Sequence, residues 1–152
     1  QRVCDTSEPQ NWILASYDVQ DPCRIVVVGE GNQGLSECLQ HTTPDRVFWG
    51  GFRVVAVDVQ RGVVSRRPKH VFFMYAGGDT PLRVKARGLL HMGALAEVIQ
   101  QAHVSFEAEA VEDLDPRKIV AKLLQCGGAH KPNAWDFGGQ APMLQVDWFE
   151  SQ

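Results

Sequence analysis

The chain has 152 residues, 44% of them hydrophobic and 22% charged, with a formal net charge of −3. Such a chain forms one globular domain that buries roughly 68–70% of its unfolded surface without staples, which excludes two large domains, and its slightly acidic balance excludes the uniformly basic surface of a nucleic-acid binder. Integral membrane association is excluded as well, because residues 71–76, the strongest apolar run, fall far short of the ~20 residues that cross a bilayer.

No leader-like pattern opens the chain, which reads Gln1-Arg-Val-Cys4, and residue 1 is not Met, so trimming at the N-terminus is expected. Cys4, Cys23, Cys38 and Cys126 form no C-x-x-C pair, which predicts free thiols and a reducing, cytoplasmic setting.

In chain order, residues 11–17 and 24–28 are β-branched and aromatic runs separated by Asp21-Pro22, which predicts a hairpin. Residues 29–34 read as a loop, and 35–41 as a helix of about two turns that must stop before Pro44. Residues 52–59 and 70–76 are predicted strands of a sheet buried on at least one face, joined by a basic linker over 61–69. Leu95, Val98, Ile99 and Ala102 recur at helical spacing and predict the longest helix, beginning near Gly88. Residues 104–111 alternate apolar with polar like a half-exposed strand. Asp115-Pro116 opens a last helix with Ile119, Val120, Leu123 and Leu124 as its stripe, closed by Gly127-Gly128. This order predicts a mixed sheet whose faces need helical cover. From Lys131 onward periodicity ends, and Trp135, Phe137, Trp148 and Phe149 dominate.

Among motifs, Gly29-x-Gly31-x-x-Gly34 follows a strand and precedes a helix, with Asp58 ending a later strand, which is the context of a dinucleotide site. A two-turn helix is too short to cover a sheet, however, and the same glycines serve a plain strand-to-helix turn. The dinucleotide reading is therefore the alternative. His41, His70, His91, His103 and His130 are scattered, and Cys126-x-x-x-His130 is a lone pair where structural zinc takes four ligands, so no metal is expected. A nucleophile would have to be assembled from Ser65, Cys38 or Cys126 and a distant His, with no G-x-S-x-G elbow. Neither an enzyme nor a cofactor is indicated.

Charge placement says more. Residues 46–91 hold nine Lys and Arg against Asp58 and Asp79, a net +7 that leaves −10 for the remainder, and residues 97–115 hold six acids and no Lys or Arg. A domain this dipolar orients on a charged partner. Arg61, Arg66, Arg67 and Lys69 crowd one linker, stiffened by Pro68, and Arg83, Lys85 and Arg87 precede the long helix; the two clusters are expected at one end of the fold.

Ser65-Arg-Arg-Pro-Lys69-His-Val-Phe-Phe-Met-Tyr, the stretch 82–100 with Lys85-Ala-Arg87 and Glu97-Val-Ile-Gln100, and Cys126-Gly-Gly-Ala-His130-Lys-Pro-Asn-Ala-Trp-Asp-Phe-Gly138 resemble the actin-depolymerising-factor homology (ADF-H, cofilin-like) family, and within it the coactosins. The resemblance runs from about Trp12 to Gly139, and Val28-Gly-Glu-Gly-Asn-Gln-Gly34 looks like the family's loop before its second helix. It implies an α+β fold with a central mixed sheet of five to six strands flanked by helices on both faces, the ADF-H/gelsolin-like three-layer sandwich. It also implies a single ADF-H domain over 1–139 with an aromatic and acidic extension over 140–152, expected to pack on its own domain.

In function it implies a non-enzymatic, monomeric actin-binding protein of the cytoplasm and cytoskeleton that prefers filaments, with monomer binding of the depolymerising kind as the alternative. In coactosins the lysine closing the basic turn contacts the filament, and Lys69 matches it. The family's long helix and the segment before it dock on actin, which brings in Lys85, Arg87 and His91, while Arg66 and Arg67 match basic positions of the turn. The family's opening amphipathic helix has no counterpart in the residues ahead of Asn11, which Pro9 interrupts.

Overall fold

The computed structural model describes residues 10–99, 102–126 and 132–138, together with the backbone of Leu144–Gln145. Its elements are β1 (Trp12–Tyr17), β2 (Ile25–Gly31), α1 (Gly34–Leu39), β3 (Val47–Gln60), β4 (Val63–Ala76), α2 (Leu82–Ile99), β5 (Val104–Ala108), a 3₁₀ turn (Val111–Leu114), α3 (Pro116–Cys126), β6 (Ala134–Asp136) and β7 (Leu144–Gln145). The sheet runs β2-β1-β3-β4-β5, with β6 on the β1 side of β3 and β7 paired to β6. Only β4 and β5 are parallel, so the sheet is mixed, and α2 is the crossover that a parallel pair requires.

Both faces of the sheet are buried, which explains why the centre of β4 is an uninterrupted apolar run rather than an alternating one. Val71, Phe73 and Tyr75 point to one face, where Trp12, Leu14, Phe48 and Phe52 meet Leu35 and Cys38 of α1 and Ile119, Val120 and Leu123 of α3. Phe72, Met74 and Ala76 point to the other, where Tyr17 and Trp49 meet α2 through Ile99, Val84, Met92 and Leu95. This is the expected sandwich of one sheet between helical layers.

Several boundaries differ from the expectation. The basic stretch 61–69 is not a linker but a tight turn followed by the first residues of β4. The long helix begins at Leu82 rather than near Gly88. Gly88 lies inside it because the helix presses against the sheet there: a Cβ would come within 3.0 Å of Val47 Cγ1 and Met74 Cε. Val98 is 66% exposed and takes no part in the buried stripe, while Ala102 packs on the core from beyond the described end of the helix. The strand expected over 104–111 stops at Ala108 and turns into the 3₁₀ segment. β6 adds Trp135 to the core from a region where no element is predicted, and β7 draws part of the extension into the sheet. Residues 1–9, the Cys126–His130 pair, Trp148 and Phe149 lie wholly or partly outside the described residues.

Candidate functional site

β3 and β4 outrun the rest of the sheet. β1 pairs with β3 only as far as Phe52, β6 only with residues 55–57, and β5 with β4 only from Val71. Residues 58–65 therefore form the tip of a two-stranded ribbon, and residues 66–69 continue it as an edge of β4 with no neighbouring strand on their outer side among the described residues. It closes on Arg61 and Gly62, whose φ values of 51° and 79° are the consecutive left-handed pair of a two-residue hairpin. Pro68 sits where β4 is an edge strand, a position proline tolerates.

The regular register alternates the cations. Ser65, Arg67 and Lys69 share the face of Val71, whereas Arg66, Pro68 and His70 share the face covered further along by α2. Arg66 is tied down, its Nη2 donating to Asp136 Oδ2 at 2.9 Å. The side chains of Arg67, exposed, and Lys69, half-buried, make no hydrogen bond or ion pair among the described residues.

On α2, Lys85 forms an ion pair with Glu109. Arg87 Nη2 donates to the carbonyl of Pro22 at 2.8 Å, and its guanidinium lies 4.6 Å over the Tyr17 ring. His91 Nδ1 is 2.9 Å from the Tyr17 hydroxyl. Burial raises the pKa of this phenol, partly offset by the Arg87 charge, so it stays protonated.

The six residues singled out in the sequence thus divide. Arg66, Lys85, Arg87 and His91 are engaged within the domain, whereas Lys69 and Arg67 are not. Nor do the two clusters share one end of the fold. Lys69 precedes Ala76 by seven strand residues, about 23 Å, and α2 starts beyond Ala76, on the other face.

The structure adds residues that the sequence reading missed. Every outward position of α2 is exposed, and these are Leu82, Arg83, Ala86, Leu89, Leu90, Gly93, Ala94, Glu97 and Val98. Only two of the nine carry charge, although a surface helix normally turns a polar face to water. Leu82 is 81% and Leu90 84% exposed. Beside Leu89 a cleft of about 430 Å³ opens between α2 and β5, lined also by Lys85, Phe106, Glu109 and Lys118. The missed signal was a second apolar stripe, Leu82-Leu89-Leu90, off the spacing of the buried one.

The glycine loop is not built for a dinucleotide. Trp12 Nε1 donates to Glu37 Oε1 at 2.7 Å across the loop, and a Cβ on Gly31 would collide with both groups. The open pocket of about 440 Å³ beside the loop is lined by Glu30 and Glu37 and by no Lys or Arg, where pyrophosphate would need positive charge. Helix α1 has six residues, and Asp58 lies out on the ribbon. His70 stacks on His103 with ring centroids 5.7 Å apart, and His41 lies 5.3 Å from Trp12; no group of three His, Cys, Asp or Glu among the described residues is placed to hold a metal ion.

A sheet covered on both faces, with an apolar helix face that no described residue covers and a projecting cationic ribbon, defines a module that binds another protein. The model of the cofilin/tropomyosin-type actin-binding protein family matches residues 1–124, and the chain belongs to that family. It is 30% identical over 151 residues to drebrin-like protein of Rattus norvegicus, covering 95% of this chain but only 33% of that protein, so the chain spans about a third of that relative's length. Coactosin of Entamoeba histolytica is 28% identical over 128 residues, covering 84% of this chain and 83% of its own. Its crystal structure superposes with a TM-score of 0.70 at 23% identity, over 84% of this chain and 89% of that one. Mouse coactosin, an actin filament binding protein, superposes with a TM-score of 0.62 at 22% identity, over 82% of each chain.

Proposed function

We propose that this chain binds actin along the filament, as a monomeric, non-enzymatic module of the cytoplasmic cytoskeleton that needs no cofactor. Family membership supports actin as the partner, and mouse coactosin, of the same fold, is a filament binder. The observation that carries the preference for filaments is the separation of two uncovered surfaces. The apolar outer face of α2, most exposed at Leu82 and Leu90 in its first half, fits a partner's apolar cleft, while Lys69 and Arg67, on the other face of the sheet and about 23 Å of strand from the end where α2 begins, fit acidic side chains. A polymer presents neighbouring subunits to both at once, whereas a single actin subunit engaged by α2 leaves the ribbon idle.

Lys69 leads the electrostatic contact with Arg67 beside it. Arg66, Lys85 and Arg87 contribute less, because each already serves a partner inside the domain, and His91 supports α2 against Tyr17.

Cosedimentation with filaments tests this. Lys69→Ala is expected to weaken pelleting several-fold at low salt while altering stability by less than ~0.5 kcal/mol, and the difference is expected to shrink as salt shortens the screening length from about 10 Å to 3 Å. Binding to actin monomers is expected to stay as it was. Unchanged pelleting of the variant, or equal losses for filament and monomer, overturns the reading.

A further inference from the structure

Ser65 takes no part in the contacts described so far. Its hydroxyl makes no hydrogen bond to a described residue. It lies on the unneighboured edge of β4, three residues past Gly62, directly across from Asp58 and on the face of Arg67 and Lys69. In sequence it has Arg66 and Arg67 immediately after it, Arg61 four residues before and Lys69 four after. We propose that Ser65 is a phosphorylation site for a basophilic serine kinase, and that phosphate there switches off the ribbon as a filament contact. The switch rests on the filament reading; the modification itself does not.

The transfer is an ordinary one. Ser65 Oγ bonds to the γ-phosphorus of ATP as the bond from that phosphorus to its bridging oxygen breaks, ADP leaves, and the hydroxyl proton passes to the kinase's base. Acidic groups in a kinase cleft have Arg61, Arg67 and Lys69 to meet within four residues of the hydroxyl, and Arg66 as well once its exposed pair with Asp136 opens. Access is cheap as well, because β4 is already extended here and only the pairs Gln60–Val63, Val59–Val64 and Asp58–Ser65 need to part. The Val59 N–H donates to the Asn133 side chain, which holds the β3 side of the hairpin in place while the β4 side peels away.

The consequence follows from register. Residues on one strand face repeat every ~6.7 Å, so a phosphate carrying about −1.5 to −2 charges sits one step from Arg67 and two from Lys69, the two cations of the predicted set whose side chains have no partner among the described residues. It draws them to itself and cancels the charge they offer a filament. Opposite, Asp58 repels it across a strand pair with Cα atoms only about 4.5–5.5 Å apart, which loosens the hairpin end.

The intact chain and its Ser65→Ala variant are incubated with ATP and the catalytic domain of a serine kinase that selects basic residues after the serine, beside a free peptide of residues 58–70. Phosphate is mapped by mass spectrometry, and each protein is pelleted with filaments. Expected are phosphate on Ser65 of the intact chain, Ser65→Ala pelleting like the parent, and phosphorylated protein binding at least about tenfold more weakly. Labelling of the peptide but not the intact chain overturns the site, because the fold then hides the hydroxyl. Labelled protein that pellets like the parent overturns the switch. Should unmodified protein fail to pellet at all, the filament reading fails and takes the switch with it, while the mapped phosphate still decides the site.

Discussion

Leu90 gives the sharpest test of the outer face of α2. It is 84% exposed, so truncating it removes almost nothing from the free domain, and Leu90→Ala is expected to leave stability within ~0.5 kcal/mol of the parent. Alanine even carries the higher helix propensity. If a partner covers this side chain, the same change removes three carbons from a buried contact; at ~0.8 kcal/mol for each methylene-sized group the loss is ~2 kcal/mol, about thirtyfold in Kd. Titrated cosedimentation at fixed salt measures it, with urea unfolding as the control. Unlike the effect of Lys69→Ala, this loss is expected to persist in high salt, because apolar contact is not screened. A Kd within twofold of the parent's, with stability unchanged, refutes the assignment of α2's outer face to the interface.

Two further outcomes concern the scaffold. Gly31→Ala places a Cβ 2.7 Å from Trp12 Nε1 and closer still to Glu37 Oε1, which breaks their hydrogen bond and is expected to cost about 1–3 kcal/mol in urea unfolding; a shift below ~0.5 kcal/mol argues against the packed-loop account. His70 has its pKa lowered by burial, then by His103 and Arg53. Because the unfolded chain takes up that proton near pH 6.5 and the folded one resists it, the stability present above pH ~6.5 is lost as pH falls below it. The urea midpoint is expected to drop more between pH 7.5 and 5.5 for the parent than for His70→Gln, and equal drops reject the role given to this imidazole.

The sheet was legible because its signals are local. Residues 71–76 pack on both sides, so every position is apolar and the strand stands out. Ile119, Val120 and Leu123 form one stripe under a proline-opened helix, and α3 follows. The beginnings of β3 and β4 were not legible. Gly50-Gly51 interrupts the apolar pattern at the start of β3. In the ribbon both faces of β4 meet solvent, so Arg66 and Arg67 sit side by side where a buried strand would alternate. The turn itself gave little warning, because arginine rather than asparagine or aspartate supplies the first left-handed residue.

The site was half legible for a reason rooted in topology. Lys69 and Lys85 are close in sequence, which suggested one cationic corner. Between them, however, the chain runs the length of β4 and then reverses into α2 to reach a parallel β5. That crossover obliges the helix to start at the end of the sheet opposite the hairpin tip. Gly88 added to the error: a glycine demanded by the close approach of α2 to Val47 and Met74 looked like a helix boundary, and setting the helix to begin there removed Leu82 from its outer face. With that turn restored, α2 is apolar on two sides, one satisfied by the sheet and the other by nothing among the described residues. A surface of that kind on a small domain is a liability unless something covers it. Lys69 and Arg67 lie on the opposite face of the sheet, so whatever covers Leu82 and Leu90 leaves them free for a second contact.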